Sequence, residues 1–235
     1  SLGELYEDIF KLPNDWNLGN YTIFEFRQMF KTISSMSMIH FLARNIAAQN
    51  GCQGLGFNNC LLRFTRKDLL WKIIQYSNVE KVSAENFIDD LTYGSNGIIF
   101  PDPALQPLFN THDDNYLIMP NLILGSAAER NLVTLMNRIP DKRSIYLNLV
   151  NDKEKWLQTK LHEGIINPNL RFFKGYIPGY PELPDIDYAI IDDIEKIVFF
   201  IELKWFIGPS EPREVLEKSA EIKKGISQSI KLKTA

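Results

Sequence analysis

The sequence predicts an α+β protein, or an α/β one, in which a mostly helical N-terminal part precedes a C-terminal part of mixed helices and strands. Along residues 22–48 apolar side chains recur at spacings of three and four, as in a helix that buries one face. From residue 151 onward short apolar runs alternate with turn residues, and a long polar helix follows them. The helical pattern breaks at residues 140–143, so we predict domains at residues 1–143 and 144–235.

Composition and charge limit the kinds of protein that this chain can be. Its 45% hydrophobic and 23% charged residues are ordinary for a soluble globular protein. Cys52 and Cys60 lack the partners of a disulfide framework or a zinc site, which indicates a reducing cytoplasm. No apolar run approaches the roughly 18–20 residues that span a bilayer, so no membrane partner is expected. Because the net charge is −3, any contact with nucleic acid must come from a local patch.

The N-terminal part is predicted to be a set of helices with a small hairpin. Its elements are helices at 22–48, 65–76, 83–94 and 126–138, a glycine-rich loop at 51–59, and strands at 97–100 and 116–119. Thr65 is the expected N-cap of the second helix, and residues 126–129 have capping-box spacing. Two short helices and a hairpin suit a winged-helix module. The helix that would then enter a DNA groove carries Glu85, Asp89 and Asp90, so we expect a structural or partner-binding role.

The C-terminal part is predicted to have the order helix, three strands, helix. The first helix is at 153–163, the strands are at 170–176, 185–191 and 196–206, and the last helix is at 214–233. A loop rich in proline and glycine and then a short turn at 192–195 separate the strands. The short turn predicts that the second and third strands pair as an antiparallel hairpin.

Charged residues interrupt the third predicted strand. Its apolar residues occupy both faces, which predicts a central strand that is covered on both sides. Glu202 and Lys204 lie two positions apart in it and therefore point to the same face. Charged side chains are rarely buried unless they are paired or bind a metal. An ion pair at a strand end near solvent is the structural alternative to a metal site.

Two aspartates on the second predicted strand, Asp185 and Asp187, also share one face. In an antiparallel hairpin their carboxylates converge with Glu202 and Lys204 on one spot. Carboxylate oxygens are the ligands that Mg²⁺ and Mn²⁺ prefer. The residues therefore predict a divalent-metal site on the hairpin.

The stretches Pro184-Asp185-Ile186-Asp187 and Glu202-Leu203-Lys204 resemble the signature of the PD-(D/E)xK nuclease superfamily, which has the restriction-endonuclease-like fold. The resemblance covers residues 151–230 and implies an αβββα core. It also implies a Mg²⁺ (or Mn²⁺) cofactor, held by an aspartate of the first stretch and the glutamate of the second. The lysine of the second stretch would position or activate the attacking water and stabilise charge on the phosphate.

The residues of the first stretch leave the choice of aspartate open. Asp187 is followed directly by an apolar strand run, as the metal ligand is in many members of the superfamily. Asp185 is the residue that directly follows proline, and it is a second ligand or a partner at the loop end.

The resemblance implies two further site residues on the flanking helices. Members often carry an acidic ligand on the preceding helix, where Glu154 is our candidate and Glu163 is the weaker choice. Glu154 shares a helical stripe with two leucines, although its spacing from Asn151 also fits a helix cap. Some members carry a catalytic glutamine on the helix after Glu-x-Lys, which here is Gln228. A solvent-facing polar residue is the alternative for Gln228.

The function that the resemblance implies is metal-dependent hydrolysis of phosphodiester bonds, with DNA as substrate and partner. One alternative is a nuclease-like protein without catalysis that binds nucleic acid or acts as a scaffold. Another is an unrelated α/β domain behind a helical interaction domain, and divalent-metal binding separates it from the first two. The superfamily core usually has a further strand after the glutamine-bearing helix, and this sequence stops at Ala235 before one can form. The oligomeric state stays open, and a homodimer is compatible with the sequence.

Overall fold

The structure, a computed structural model, describes residues 12–52, 60–111, 113–165, 167–203 and 212–234, without the side chains of residues 153, 154, 212–214, 217 and 234. Helices and two small antiparallel sheets make up the described chain, which confirms the α+β class. The chain divides into two units, Ser1–Asn148 and Leu149–Ala235, whereas the sequence placed the boundary after residue 143. None of the helices in the described ranges has the length and apolar character needed to cross a membrane.

The first unit combines helices with a three-stranded sheet. Its elements are α1 (Ile23–Gln49), β1 (Leu62–Thr65), α2 (Arg66–Ser77), α3 (Lys81–Leu91), β2 (Leu108–Asn110), β3 (Asn115–Ile118), α4 (Pro120–Leu124), α5 (Ala128–Arg138) and a 3-10 turn (Pro140–Lys142). The strand order is β1-β3-β2, and both pairings are antiparallel. The predicted N-cap of α2 is confirmed, because the Thr65 side chain accepts a hydrogen bond from the Asp68 N–H at 3.1 Å.

Helix α1 buries only the first half of its apolar stripe. It begins at a capping box in which the Thr22 hydroxyl accepts the Glu25 N–H and the Glu25 carboxylate accepts the Thr22 N–H. Its buried apolar side chains are Ile23, Phe26, Met29 and Ile33. The stripe predicted to face the core continues further, but Ile39, Leu42 and Ile46 are 67%, 51% and 58% exposed. That part of the prediction was wrong, because the described elements that pack on α1 leave its second half uncovered.

The hairpin of the first unit uses β2 in place of the predicted strand at residues 97–100. Asn96 and Gly97 have φ angles of +54° and +71°, which are turn conformations outside the range of a regular strand. Phe100 is 84% exposed, whereas Leu108 in β2 is fully buried and pairs with Ile118 of β3. The strand at 97–100 was therefore a wrong prediction, and the strand predicted at 116–119 corresponds to β3.

Helix α5 was predicted with a capping box that the structure does not form. Its N-cap is Ala127, with no side-chain cap bond. The carboxylate of Glu129 instead pairs with the Arg27 guanidinium, with an Nε–Oε1 distance of 2.6 Å, and accepts the Leu12 N–H at 3.3 Å. The prediction failed because this ion pair with α1 engages the glutamate that a capping box would need.

A buried ion pair occupies the core of the first unit. Asp90 on α3 is 1% exposed and pairs with the ammonium of Lys142. Its carboxylate also accepts hydrogen bonds from the Tyr21 hydroxyl at 2.6 Å and from the Asn96 amide at 2.8 Å. Burial, reinforced by the charge of Asp90, raises the pKa of Tyr21 well above its usual value. One of the three acids on α3 is thus a core residue, and a second, Asp89, pairs with Arg66 at 2.8 Å.

The second unit has the predicted order of a helix, three strands and a helix. Its elements are α6 (Arg143–Gly164), which begins in the first unit, then β4 (Leu170–Gly175), β5 (Ile186–Asp192), β6 (Ile197–Ile201) and α7 (Pro212–Thr234). The strand order is β4-β5-β6, and both pairings are antiparallel, so the predicted hairpin of the second and third strands is confirmed.

Strand β6 is at the end of the described sheet and is not the central strand that the sequence predicted. Ile197, Val198, Phe199 and Phe200 are 44%, 46%, 57% and 37% exposed. The centre is β5, whose residues at positions 186, 188 and 189 are buried. An apolar run on both faces therefore does not by itself show which strand is central. The strand ends at Ile201 and not at residue 206, and residues 204–211 lie outside the described chain.

Helix α6 starts earlier than predicted. It runs without interruption from Arg143, so Asn151 lies in its interior and cannot cap a helix. The break in the helical pattern at residues 140–143 therefore lies between α5 and α6, where the 3-10 turn at Pro140–Lys142 leads directly into α6. The capping explanation for Glu154 is thereby removed.

Candidate active site

Asp187 lies on β5 and Glu202 directly follows β6, at the open end of the β5–β6 hairpin. Tyr188 pairs with Ile201 at the end of the register, and continuing that register by one residue along each chain puts Asp187 opposite Glu202. Residues that are opposite each other in an antiparallel pair point to the same face. The register therefore brings these two carboxylates together, on the face opposite to that of Tyr188.

Asp187 is anchored through both its side chain and its backbone. The N–H of Leu203, the residue after Glu202, donates to Oδ2 of Asp187 at 2.8 Å. The side-chain amide of Gln158 on α6 donates to the backbone carbonyl of Asp187 at 3.2 Å. The first bond ties the chain beyond β6 to the Asp187 carboxylate, so residues 187, 202 and 203 form one local arrangement.

Gly225 lets helix α7 approach Glu202. This glycine is buried, and a Cβ atom at its position would lie 3.3 Å from Cγ of Glu202, closer than most such contacts. Glycine is unfavourable in a helix interior by about 1 kcal/mol relative to alanine, so close approach is the structural reason for it here. The sequence contained this signal, an isolated glycine within a polar helix, and we did not assign it a role.

Gln228 stands on the same side of α7 as Gly225, because residues three apart share a helix face. It is half-buried, and its side-chain oxygen Oε1 is buried without a hydrogen-bond partner in the described structure. Leaving a buried acceptor unsatisfied costs about 1–3 kcal/mol, so such an atom is a place where a water or ligand is expected to bind. The alternative of a fully solvent-facing glutamine does not describe this side chain.

An open groove of about 690 Å³ runs between β6 and α7 and includes Glu202 in its lining. Phe200 and Ile201 form the strand side, and Ile222, Ile226 and Ile230 contribute the apolar part of the helix side. Lys233 is the lysine of this lining. The groove thus combines apolar walls with one carboxylate and one cation.

The other predicted site residues are either exposed or only partly described by the structure. Asp185 lies just before β5 and is exposed. Glu154 is on α6 one helical turn before Gln158, and its side chain lies outside the described residues. Glu163, the weaker candidate, is exposed and pairs with Lys160 at 2.6 Å. Lys204 lies outside the described residues.

The described carboxylate and amide oxygens are ligands of the kind that a hard divalent cation prefers. Asp187 and Glu202 present carboxylate oxygens on one face, and the unsatisfied atom of Gln228 is also an oxygen. A search of the described side chains finds no group of three or more His, Cys, Asp or Glu residues that could hold a metal. The two carboxylates are therefore a partial set that a third protein ligand or water molecules would complete.

The opposite face of the same sheet holds a cluster that sequence reasoning missed. His162 on α6 lies with Nδ1 2.8 Å from the hydroxyl of Tyr188, and its ring contacts Phe172 edge-on with centroids 4.4 Å apart. Burial raises the pKa of Tyr188. These residues border a cavity of about 420 Å³ whose other lining groups include Lys155 and Lys174. Helix α6 therefore covers the face away from the Asp187 side chain, whereas α7 approaches Glu202.

Comparison with known proteins provides no related site with which this one can be compared. No family model, curated protein or solved structure matches the chain.

Proposed function

We propose that the second unit is a metal-dependent nuclease of the PD-(D/E)xK type that hydrolyses phosphodiester bonds of DNA. The observation that carries the proposal is the register of β5 and β6, whose continuation by one residue pairs Asp187 with Glu202, together with the bond from the Leu203 N–H to the Asp187 carboxylate. The order α6, β4, β5, β6, α7 and the antiparallel β4-β5-β6 sheet support it, because they agree with the core that the motif implies.

Asp187 and Glu202 would hold Mg²⁺ (or Mn²⁺) in this proposal, with Asp185 and Glu154 as further ligands. Held by these residues, such a metal would supply polarisation of the phosphate and a water molecule of lowered pKa. The bond from the Leu203 N–H fixes one oxygen of Asp187 and so limits the orientations of this ligand. Such preorganisation is what allows a site to favour the transition state.

Lys204 and Gln228 have supporting roles in the proposal. Lys204 follows Glu202 by two positions in the sequence, and in the proposal its ammonium would stabilise charge that develops on the phosphate. Gln228 offers its buried amide oxygen to water or substrate. Gly225, one helical turn before Gln228, is the residue at which α7 approaches Glu202.

We further propose that the first unit is a winged-helix module. Its order of one helix, a strand, two helices and a hairpin supports this, and so does the strand order β1-β3-β2. Asp90 of α3 is engaged inside the core and Asp89 pairs with Arg66. Glu85, at the exposed edge of an i,i+4 pair with Lys81, keeps α3 unsuited to a DNA groove.

One observation favours the alternative, a nuclease-like protein without catalysis that binds nucleic acid or acts as a scaffold. Among the side chains that the structure describes, Asp187 and Glu202 have no third acidic ligand beside them. In this alternative the protein binds DNA without cleaving it at any metal concentration.

The test is cleavage of labelled single- and double-stranded DNA by the full chain with Mg²⁺, with Mn²⁺ and with EDTA. We expect cleavage with either metal, none with EDTA, and none in Glu202→Gln or Lys204→Ala. Glu195→Gln is the matched control, because Glu195 is an exposed glutamate in the turn at the other end of the same hairpin. Cleavage that survives in Glu202→Gln, or that falls equally in Glu195→Gln, would overturn the proposal. Absence of cleavage by the folded protein, with DNA binding retained, would establish the non-catalytic alternative.

A further inference from the structure

A second cavity, in the first unit, has a lining unlike that of the candidate active site. It lies between α1, β1 and α2 and has a volume of about 700 Å³. This volume is within the range of about 300–1,000 Å³ that is usual for pockets that bind small ligands. The residues that matter to its chemistry are Gln28, Lys31, His40, Phe64, Lys72 and Tyr76.

The charged groups of this cavity are all basic. Lys31 comes from α1 and Lys72 comes from α2, and no aspartate or glutamate stands among the described residues that line it. The chain as a whole has a net charge of −3, so the cavity is a local positive patch on an acidic protein. An anionic ligand is therefore favoured here over a neutral or cationic one.

Aromatic rings flank Lys72. The ammonium of Lys72 lies 5.9 Å from the centroid of Phe64 and 5.8 Å from that of Trp71. Trp71 contacts Tyr76 edge-on, with centroids 6.4 Å apart. Tyr76, at the cavity, is 66% exposed, and an exposed ring beside lysines is a surface on which a nucleobase stacks while its phosphate meets the cations.

We propose that this cavity binds one nucleotide, with the base against Tyr76 and Phe64 and the phosphate at Lys31 and Lys72. Gln28, with an amide that can both donate and accept hydrogen bonds, is placed to contact the base edge. The nucleotide is either free or part of a single strand, since the same chemistry recognises both. The inference deepens the proposed function, on which the choice of a nucleic-acid ligand rests.

The test is binding of a fluorescein-labelled oligothymidylate to the full chain, measured by anisotropy in EDTA so that no cleavage occurs. We expect Lys72→Glu and Tyr76→Ala each to weaken binding by about tenfold, and Tyr76→Phe to retain it because the ring remains. These side chains are exposed or half-buried, so the variants are expected to fold, which circular dichroism checks.

Lys67→Glu is the matched control for Lys72→Glu. Lys67 is an exposed lysine on the same helix, outside the cavity, and its substitution changes the net charge equally. The proposal is overturned if Lys67→Glu weakens binding as much as Lys72→Glu does, or if no cavity variant weakens it. It is also overturned if an acidic amphipathic peptide binds the cavity and the oligonucleotide does not.

Competition with thymidine monophosphate and with inorganic phosphate identifies the source of the ligand. Displacement by the free nucleotide but not by phosphate supports a site for free nucleotides. Displacement only by unlabelled oligonucleotide supports a site for a strand. Because the assay needs neither metal nor an intact Asp187, failure of cleavage and failure of this binding are separate results.

Discussion

At position 187 one side chain accepts a backbone hydrogen bond and, in our proposal, binds the metal. Asp187→Asn keeps an oxygen that can accept the Leu203 N–H but removes the negative charge. We expect this variant to lose DNA cleavage by about 100-fold or more while its free energy of unfolding changes by no more than about 1 kcal/mol. Asp187→Ala should lose cleavage equally and also be less stable by about 1–3 kcal/mol, because the N–H then has no partner.

Cleavage rates and urea unfolding of the two variants check this prediction together. Wild-type cleavage by Asp187→Asn would show that Asp187 is no ligand. Equal stability of the two variants would show that the Leu203 bond contributes nothing measurable.

Tyr21 makes stability depend on pH in the alkaline range. Its pKa is raised by burial and by the charge of Asp90, so the folded protein keeps the phenol protonated where the unfolded chain releases the proton. The corresponding stability is fully present below the unfolded pKa of about 10 and is lost as the pH rises above it, by about 1.4 kcal/mol per pH unit for one proton. Unfolding free energies of wild type and Tyr21→Phe between neutral and alkaline pH test this. We expect the variant to show a shallower alkaline slope, and equal slopes would contradict the assignment.

At the scale of elements, helices and strands were predicted correctly where a residue pattern is compatible with only one structure. The alternation and the short turn predicted β5 and β6 as a hairpin, and Thr65 predicted a helix start. The prediction failed where one residue pattern fits two structures. The spacing of Asn151 matches that of a helix N-cap, but Asn151 lies inside α6. Strand β2 was missed since it has only three residues, too few to show a period.

Helix α7 offers an element-scale prediction in which stability and activity change in opposite directions. Gly225→Ala should stabilise the helix by about 0.5–1 kcal/mol through backbone propensity. Its new Cβ would lie 3.3 Å from Cγ of Glu202, so the carboxylate or the helix must shift by a few tenths of an ångström. A displacement of that kind in a catalytic group lowers activity, and we expect a fall of about tenfold or more.

Thermal unfolding and DNA cleavage measure the two effects in Gly225→Ala. Ser227→Ala is the control, because Ser227 is exposed on the same helix and also gains helix propensity. Its cleavage should equal that of wild type. If Gly225→Ala cleaves as fast as this control, the close approach of α7 has no role at the site.

At the scale of the whole molecule, the sequence predicted part of the site because two of its parts are local. Asp187 and Glu202 belong to one hairpin, and a hairpin register follows from a short turn. The approach of α7 through Gly225 and the contact of His162 with Tyr188 join elements distant in sequence, so no local pattern identifies the contacting partner. The edge position of β6 likewise depends on the order of strands in the sheet, which its own residues do not encode.

The stability of the chain depends on another long-range contact, the pair of Asp90 and Lys142. These residues are 52 positions apart, and their side chains are 2% and 11% exposed. The ammonium of Lys142 also lies 5.1 Å from the centroid of the Tyr21 ring. Lys142→Met keeps most of the side-chain length but leaves Asp90 as a buried charge with only neutral hydrogen-bond donors. We expect a loss of about 3–5 kcal/mol in the free energy of unfolding, because removing one partner strands the other charge.

Urea unfolding of three variants separates the cost of a stranded charge from the worth of the pair. Lys81→Met removes an exposed lysine whose pair with Glu85 is solvated, so it should cost less than about 0.5 kcal/mol. In Asp90→Asn/Lys142→Met no charge is left buried, so the double variant should recover part of the stability that Lys142→Met loses. If Lys142→Met is no less stable than Lys81→Met, the ion pair does not hold α3 to the turn that precedes α6. If the double variant is as unstable as Lys142→Met, packing of the lysine side chain, and not its charge, is what the first unit needs.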